Sequence, residues 1–273
     1  MRFAPLFIAA SLVISTPCMA QAGRSAGGRE AAPTPVPIEE WPVAKVSAVG
    51  ERIYDFDTAA WLATDALRAA ISEDELRTVR GWLVMPEGDG HVVHFYRQGD
   101  PDPIPGWKVF VQGRLPPTVT PAAETALTPQ ELAQARAVVT ASANIGRLRC
   151  SRHMNSVIMR DPDGDDWLVW LLTPTPDDGR LPMGGHYRFR ISADGGSVIR
   201  RDQLSNTCLF LDRPPRNQRD AMLMTSQIVS RGPVETQVFL SIQNQVTIVV
   251  MAGDKYFSIG GARVSDITDL VNK

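Results

Sequence analysis

Few residue types in this 273-residue chain are spaced to do chemistry, and each group that is spaced so has a plainer reading beside it. The acidic run Asp161-Pro162-Asp163-Gly164-Asp165-Asp166 invites calcium. A calcium loop of the EF-hand kind needs Gly at its sixth position and Glu at its twelfth. Counted from Asp161 those positions are Asp166 and Leu172, so the pattern fails and the run reads as a hairpin turn. His91 and His94 would share a face on a helix. On a strand they point to opposite faces, which removes a shared metal site. His153 and His186 stand alone and read as surface or core histidines. No Gly-x-Ser-x-Gly, Ser-x-x-Lys or His-Glu-x-x-His run occurs. The pairs Gly184-Gly185, Gly195-Gly196 and Gly260-Gly261 sit at strand ends rather than in a phosphate-binding turn, and Asp177-Asp178 falls in a turn. Trp82, Trp167 and Trp170 could form an aromatic platform. Trp167–Leu172 is apolar at every position, however, which is the pattern of a strand buried on both faces.

Three cysteines remain, and their place in the chain decides their chemistry. Residues 1–22 open with Arg2, continue with an apolar run from Phe3 to Val13 and end in Ala20-Gln21-Ala22. That order is a secretory signal with a small-residue cleavage site, and its core falls short of the ~20 apolar residues of a spanning helix. Cys18 lies inside it behind Ser15-Thr16-Pro17, and proline in that place argues against lipidation. Cys150 and Cys208 then form an even pair in an exported protein, which predicts a disulfide. They lack Cys-x-x-Cys spacing, so a redox role has no support.

The elements that must position these residues follow from periodicity. Residues 23–42, with Pro33, Pro35, Pro37 and Pro42, read as an extended lead-in. An amphipathic helix is predicted over Asp57–Ile71, with Asp57 as its cap and Trp61, Ala66, Leu67 and Ile71 on its apolar face. Ser72-Glu73-Asp74-Glu75 is a capping box for a short second helix. Strands follow at 81–85, 91–96 and 107–111, with Glu87-Gly88-Asp89-Gly90 as the first turn, and Pro116–Pro121 closes this part. Thr128-Pro129-Gln130-Glu131 is a second capping box with proline at the first helical position, opening a helix to about Ala141. Strands are then expected at 155–160, 167–173, 186–191 and 197–202. A C-terminal meander is expected from 237–242, 246–251 and 256–259. Helices followed by antiparallel strands, twice over, predict an α+β fold of two consecutive sheet-containing units, 43–120 and 121–273. The order is similar to that of periplasmic inhibitor-like and PepSY-like modules, an analogy of topology that carries no site residue across.

Composition narrows the function class. Removal of the signal leaves about 250 residues, enough for a sizeable core. Apolar residues make up 44% and charged residues 21% of the chain, and the net charge of −2 excludes the basic excess of a nucleic-acid binder. Lysine occurs only at 45, 108, 255 and 273, and the many arginines are spread along the chain among acids, as in a GC-rich genome. The expectation is a periplasmic or secreted bacterial protein without a transmembrane segment after signal removal. No cofactor or metal is expected. Its role reads as binding or structural, with an envelope protein or polymer as partner. The alternatives are a small-molecule carrier, or an exported hydrolase for which His153, Asp163 and Asp165 are the first residues to test.

Overall fold

A computed structural model describes residues 36–176, 179–215 and 221–273. The expected signal at 1–22, Cys18, most of the expected lead-in and Asp177-Asp178 lie outside the described residues.

Helix α1 (Val43–Ala70) is the longest element, 28 residues, about 42 Å at 1.5 Å per residue. It begins directly after Pro42, not at Asp57. The reason is that the apolar period continues toward the N-terminus: Val46, Val49, Ile53, Phe56, Ala63 and Leu67 are all buried on one face. Asp57 is therefore mid-helix, and Trp61 lies off the core face, 61% exposed. Both readings correct the sequence analysis.

Helix α2 (Glu73–Leu76) starts from the expected capping box, with Ser72 and Glu75 bonding reciprocally. Strands β1 (Val79–Glu87), β2 (Gly90–Arg97), β3 (Ile104–Val111) and β4 (Thr118–Pro121) form an antiparallel sheet in sequential order. Helix α3 (Pro129–Ala143) opens on the second expected box, in which Thr128 and Glu131 cap each other. A second antiparallel sheet has the order β5 (Asn155–Arg160), β6 (Trp167–Leu172), β8 (Tyr187–Ile191), β9 (Val198–Gln203). Between its members lies β7 (Leu181–Pro182), which pairs with β10 (Phe210–Leu211). The third sheet runs β11 (Met222–Gln227), β12 (Thr247–Ala252), β13 (Lys255–Gly260), β14 (Arg263–Asp266), and α5 (Thr268–Val271) ends the chain.

The third sheet holds the main departure from expectation. Residues 237–242 are not a strand: they lie in helix α4 (Glu235–Asn244), which crosses from β11 to a parallel β12. Glu235 through Ser241 are buried all round the helix, so no helical period survives in the sequence, and Val238-Phe239-Leu240 imitates a strand. Its start is set by Pro233 and by Gln237, whose Oε1 accepts from the Val234 amide at 3.0 Å. Gly50 lets α1 cross α4 closely. A Cβ there would lie 2.5 Å from Val238 Cβ and 2.7 Å from the Glu235 carbonyl oxygen.

With helices and several antiparallel sheets the fold is α+β. Strand β6 is apolar on both faces because both are covered. Trp167, Val169 and Leu171 pack with Ala137 and Ala141 of α3, while Leu168, Trp170 and Leu172 join the main core. That core takes in Phe95 and Val109 of the first sheet, Trp170 of the second, Val250 of the third and the buried face of α1. One apolar cluster thus crosses residue 120, and residues 34–273 form one compact unit. No helix among the described residues is long and apolar enough to cross a membrane.

Candidate functional site

The residues singled out from sequence are mostly committed to structure. Cys150 and Cys208 form a disulfide between the segment before β5 and the segment after β9, with Cα atoms 5.4 Å apart. Gly185, at φ +85°, makes room for it, since a Cβ there would lie 2.2 Å from Cys150 Sγ. In the acidic turn, Asp161 is buried. Its Oδ1 accepts from the Asp163 amide at 3.1 Å, and Arg190 Nη1 lies 3.2 Å from its Oδ2. Asp163 pairs with Lys45 of α1, and Arg160 bonds the Asp165 carbonyl. Two of the turn's four carboxylates, Asp161 and Asp163, are thus met by protein cations. His153 precedes β5 and Asp163 and Asp165 follow it, so a six-residue strand, roughly 17 Å at 3.3 Å per residue, separates them. They do not assemble one site.

His186 is a satisfied core histidine. Its Nδ1 accepts from the Thr173 amide at 3.1 Å and its Nε2 faces the Pro182 carbonyl at 2.6 Å, while burial pushes its pKa down to about 4. Trp167 and Trp170 are core residues whose indole N–H groups donate to the Ala193 carbonyl and to Glu235. His91 and His94 do point to opposite faces of β2: the His91 ring meets Phe56 of α1, and His94 Nδ1 meets Glu131 of α3 at 2.5 Å. Among the described residues, no three His, Cys, Asp or Glu side chains group as a metal would need.

Two of the clefts carry polar groups that no structural duty explains in full. The smaller, about 280 Å³, lies between the first sheet and the start of α3. Glu131 is locked by the Thr128 amide and hydroxyl. Burial works against its charge, but Thr128 and His94 outweigh it and hold its pKa below the usual value. An ionised Glu131 only accepts, so His94 donates to it from Nδ1. Lys108 and Glu124 pair on the same rim.

The larger cleft, about 720 Å³, follows a stripe of α1. Tyr54, Asp57, Thr58, Trp61, Asp65 and Arg68 line it, at spacings of three and four that put them on one helix face. The far wall is Trp82 of β1, Asn155 at the start of β5, and Gln243 and Asn244 at the end of α4. Gln243 Nε2 donates to Asp57 Oδ2 at 3.2 Å. Arg213 donates to Asn244 Oδ1 at 2.6 Å, and Asn244 Nδ2 donates to the Leu240 carbonyl at 2.9 Å, which fixes that wall. Among the described residues no cation is bonded to Asp57, and burial pushes its pKa up to about 6.

No protein family, no curated protein and no solved structure matches this chain. The reading of the site therefore rests on its own geometry. Sequence reasoning missed the stripe because Asp57-Thr58 looked like a helix start and Trp61 like a core residue. The signal that was present is the apolar run Val46, Val49, Ile53, Phe56, which extends the helix past Asp57 and turns its remaining polar face into a lining.

Asp57 yields a stability test with a definite sign. Its carboxyl titrates near 3.8 when unfolded and near 6 when folded, so the cost of its charge is absent below about pH 4 and complete above pH 6. Two pKa units are about 3 kcal/mol. The cleft is open to solvent, which reduces this to roughly 1–2 kcal/mol. Asp57→Asn keeps an acceptor for Gln243 and should stabilise the protein by that amount at pH 7 and by no more than about 0.5 kcal/mol at pH 4. Urea midpoints of both proteins at the two pH values measure it. His186 and the cleft's other charges, Asp65, Arg68 and Arg213, are common to both proteins and cancel in the difference. An equal shift at both pH values would sink the assignment.

Proposed function

We propose that this chain is an exported binding protein of a bacterial envelope, and that the cleft along α1 is where it holds its ligand. The single observation that carries this is the pairing, on one helix stripe, of a half-buried carboxylate that bonds no cation among the described residues and an indole that is 61% exposed. Each lowers stability or solubility, and the return is small: Asp57 accepts one bond, from Gln243 at 3.2 Å. Such departures from local consistency mark functional sites. The cleft's volume falls within the roughly 300–1,000 Å³ of ligand pockets. Export is supported by the signal-like N-terminus and by a disulfide, which persists in oxidising compartments.

Binding is favoured over glycoside hydrolysis in this cleft by a distance. Hydrolysis there would use Asp57, with its raised pKa, as the acid and Asp65 as the second carboxylate. They are eight residues apart on one helix, an axial rise of about 12 Å. Retaining and inverting enzymes hold their carboxyls roughly 5–9.5 Å apart. The His94–Glu131 pair is the best support for a hydrolytic reading elsewhere in the molecule, yet in that 280 Å³ cleft the Thr128 hydroxyl is spent as a donor to Glu131 and Lys108 is paired with Glu124.

The test is cosedimentation of the mature chain with insoluble envelope of the encoding organism. The wild-type protein should pellet. Trp61→Ala should remain largely in the supernatant, a loss of affinity of at least about tenfold for a buried aromatic anchor. Equal pelleting of the two proteins, or no pelleting of either, would remove the cleft from the function.

A further inference from the structure

We infer that the ligand of the α1 cleft is a neutral pyranose oligosaccharide, stacked on Trp61 and held through its hydroxyls by the amide groups of the opposite wall and by Asp57 beside Trp61 on α1. This rests on the binding reading above and names the chemistry of the occupant.

Charge comes first. The ionisable groups of the lining are Asp57 and Asp65 against Arg68 and Arg213, apart from the Tyr54 phenol, so the cleft has no net sign to select an anion or a cation. Apolarity comes next. A lipid chain needs a continuous apolar wall, and here Asn155, Gln243, Asn244, Thr58 and Thr64 interrupt it. A peptide is held through free backbone groups at a strand edge or by an amphipathic helix in an apolar groove. The floor of this cleft is the side of α1, whose backbone groups are spent on their own helix.

What remains suits a ligand with apolar ring faces and an equatorial belt of hydroxyls. A hydroxyl donates one hydrogen bond and accepts two, as do few other ligand groups. Its natural partners are planar groups that combine donors and acceptors, such as the Asn155, Gln243 and Asn244 amides, or that offer paired acceptors, such as Asp57. The C–H face of a pyranose packs flat on an indole, and an aromatic with one wet side is the residue that can receive it. Trp61 is placed so at the open side of the cleft, with Tyr54 and Trp82 beside the same volume. The prior ordering of the wall by the Arg213–Asn244 and Asn244–Leu240 bonds lowers the entropy lost on binding.

Isothermal titration of the mature chain with three neutral tetrasaccharides tests this: β-1,4-linked N-acetylglucosamine, β-1,4-linked glucose and α-1,4-linked glucose. At least one should bind saturably, at least tenfold more weakly to Trp61→Ala and about threefold or more weakly to Gln243→Ala. Trp61 is exposed, so its variant should keep the wild-type melting temperature, and that measurement separates lost binding from lost fold. Saturable binding that Trp61→Ala leaves unchanged would overturn the proposed site. Absence of binding to all three, with Trp61-dependent cosedimentation retained, would overturn the saccharide while the binding reading stands. Absence of both would end both.

Discussion

Replacing Arg188 with alanine should destabilise the protein by about 3–5 kcal/mol, the range for breaking a buried ion pair by removing one partner. Arg188 is 2% exposed on β8 and is met from four sides. Its Nη2 donates to Asp202 Oδ2 at 2.7 Å and its Nη1 to Glu235 Oε2 at 3.2 Å. Nη2 also reaches the Glu39 carbonyl at 2.6 Å, and the guanidinium lies 3.8 Å from the centre of the Trp41 ring. Burial works against its charge, but Glu235 and Asp202 outweigh it and raise its pKa further. Removal takes the Arg188 cation from two buried carboxylates, Asp202 and Glu235. Asp202 keeps Arg200 at 2.8 Å and Glu235 keeps the Trp170 indole N–H at 2.8 Å, which is less than either needs. For a unit of this size the loss amounts to roughly 10 °C in Tm. Thermal unfolding of Arg188→Ala beside the triple variant Arg188→Met, Asp202→Leu, Glu235→Leu separates charge from packing. The triple variant should recover at least half of the loss, because well-packed apolar groups replace a buried ion triad at little cost. A triple variant as weak as the single one would show that shape, not charge, is what the site requires.

The disulfide should contribute nearly as much. Cys150 and Cys208 are 58 residues apart, and closing a loop of that size removes denatured-state entropy worth roughly 4 kcal/mol in the chain-entropy model. The loop contains every strand of the second sheet, from β5 to β9, so that whole sheet is ordered inside one covalent ring. The Cys150→Ser, Cys208→Ser variant should lose about 3–4 kcal/mol against the oxidised wild type in urea, and wild type kept in dithiothreitol should lose the same. Coincident curves for oxidised and reduced protein would contradict it, as would peptide mapping that finds both thiols free.

These two predictions differ in how far sequence alone could reach them. The disulfide was legible because it depends on counting: two cysteines left outside the signal-like N-terminus, placed to either side of a four-strand run. The capping boxes at Ser72 and Thr128 were legible for a related reason, since a cap is satisfied by residues three positions apart and needs no tertiary partner. The hairpins β1–β2, β5–β6 and β8–β9 were legible through their turns, and the double-sided burial of β6 through its unbroken apolar run. Arg188 carried no such mark. In Tyr187-Arg188-Phe189-Arg190-Ile191 it reads as an ordinary outward position of an alternating strand. Its partners come from β9, α4 and residues 39–41, up to 149 positions away.

The α1 cleft shows the same division within one helix. Local propensity and the 3.6-residue period, read over Asp57–Ile71, determined that a helix would run there and that Leu67 would be buried. They did not determine what the opposite stripe meets. Whether Trp61 and Asp57 face bulk water or a cleft is decided by α4, and by the segments at Arg213, Asn155 and Pro174 that close the far side. Helix α4 was itself hidden, because a helix buried on all sides loses the polar face by which sequence reveals it. The α+β class, the caps, the turns and the cysteine pairing thus came from the sequence by itself, since each depends on neighbours along the chain or on composition. The ion-paired core at Arg188, the His94–Glu131 pair and the lining of the cleft were decided only by tertiary structure, because each joins side chains whose proximity is a property of packing and not of spacing.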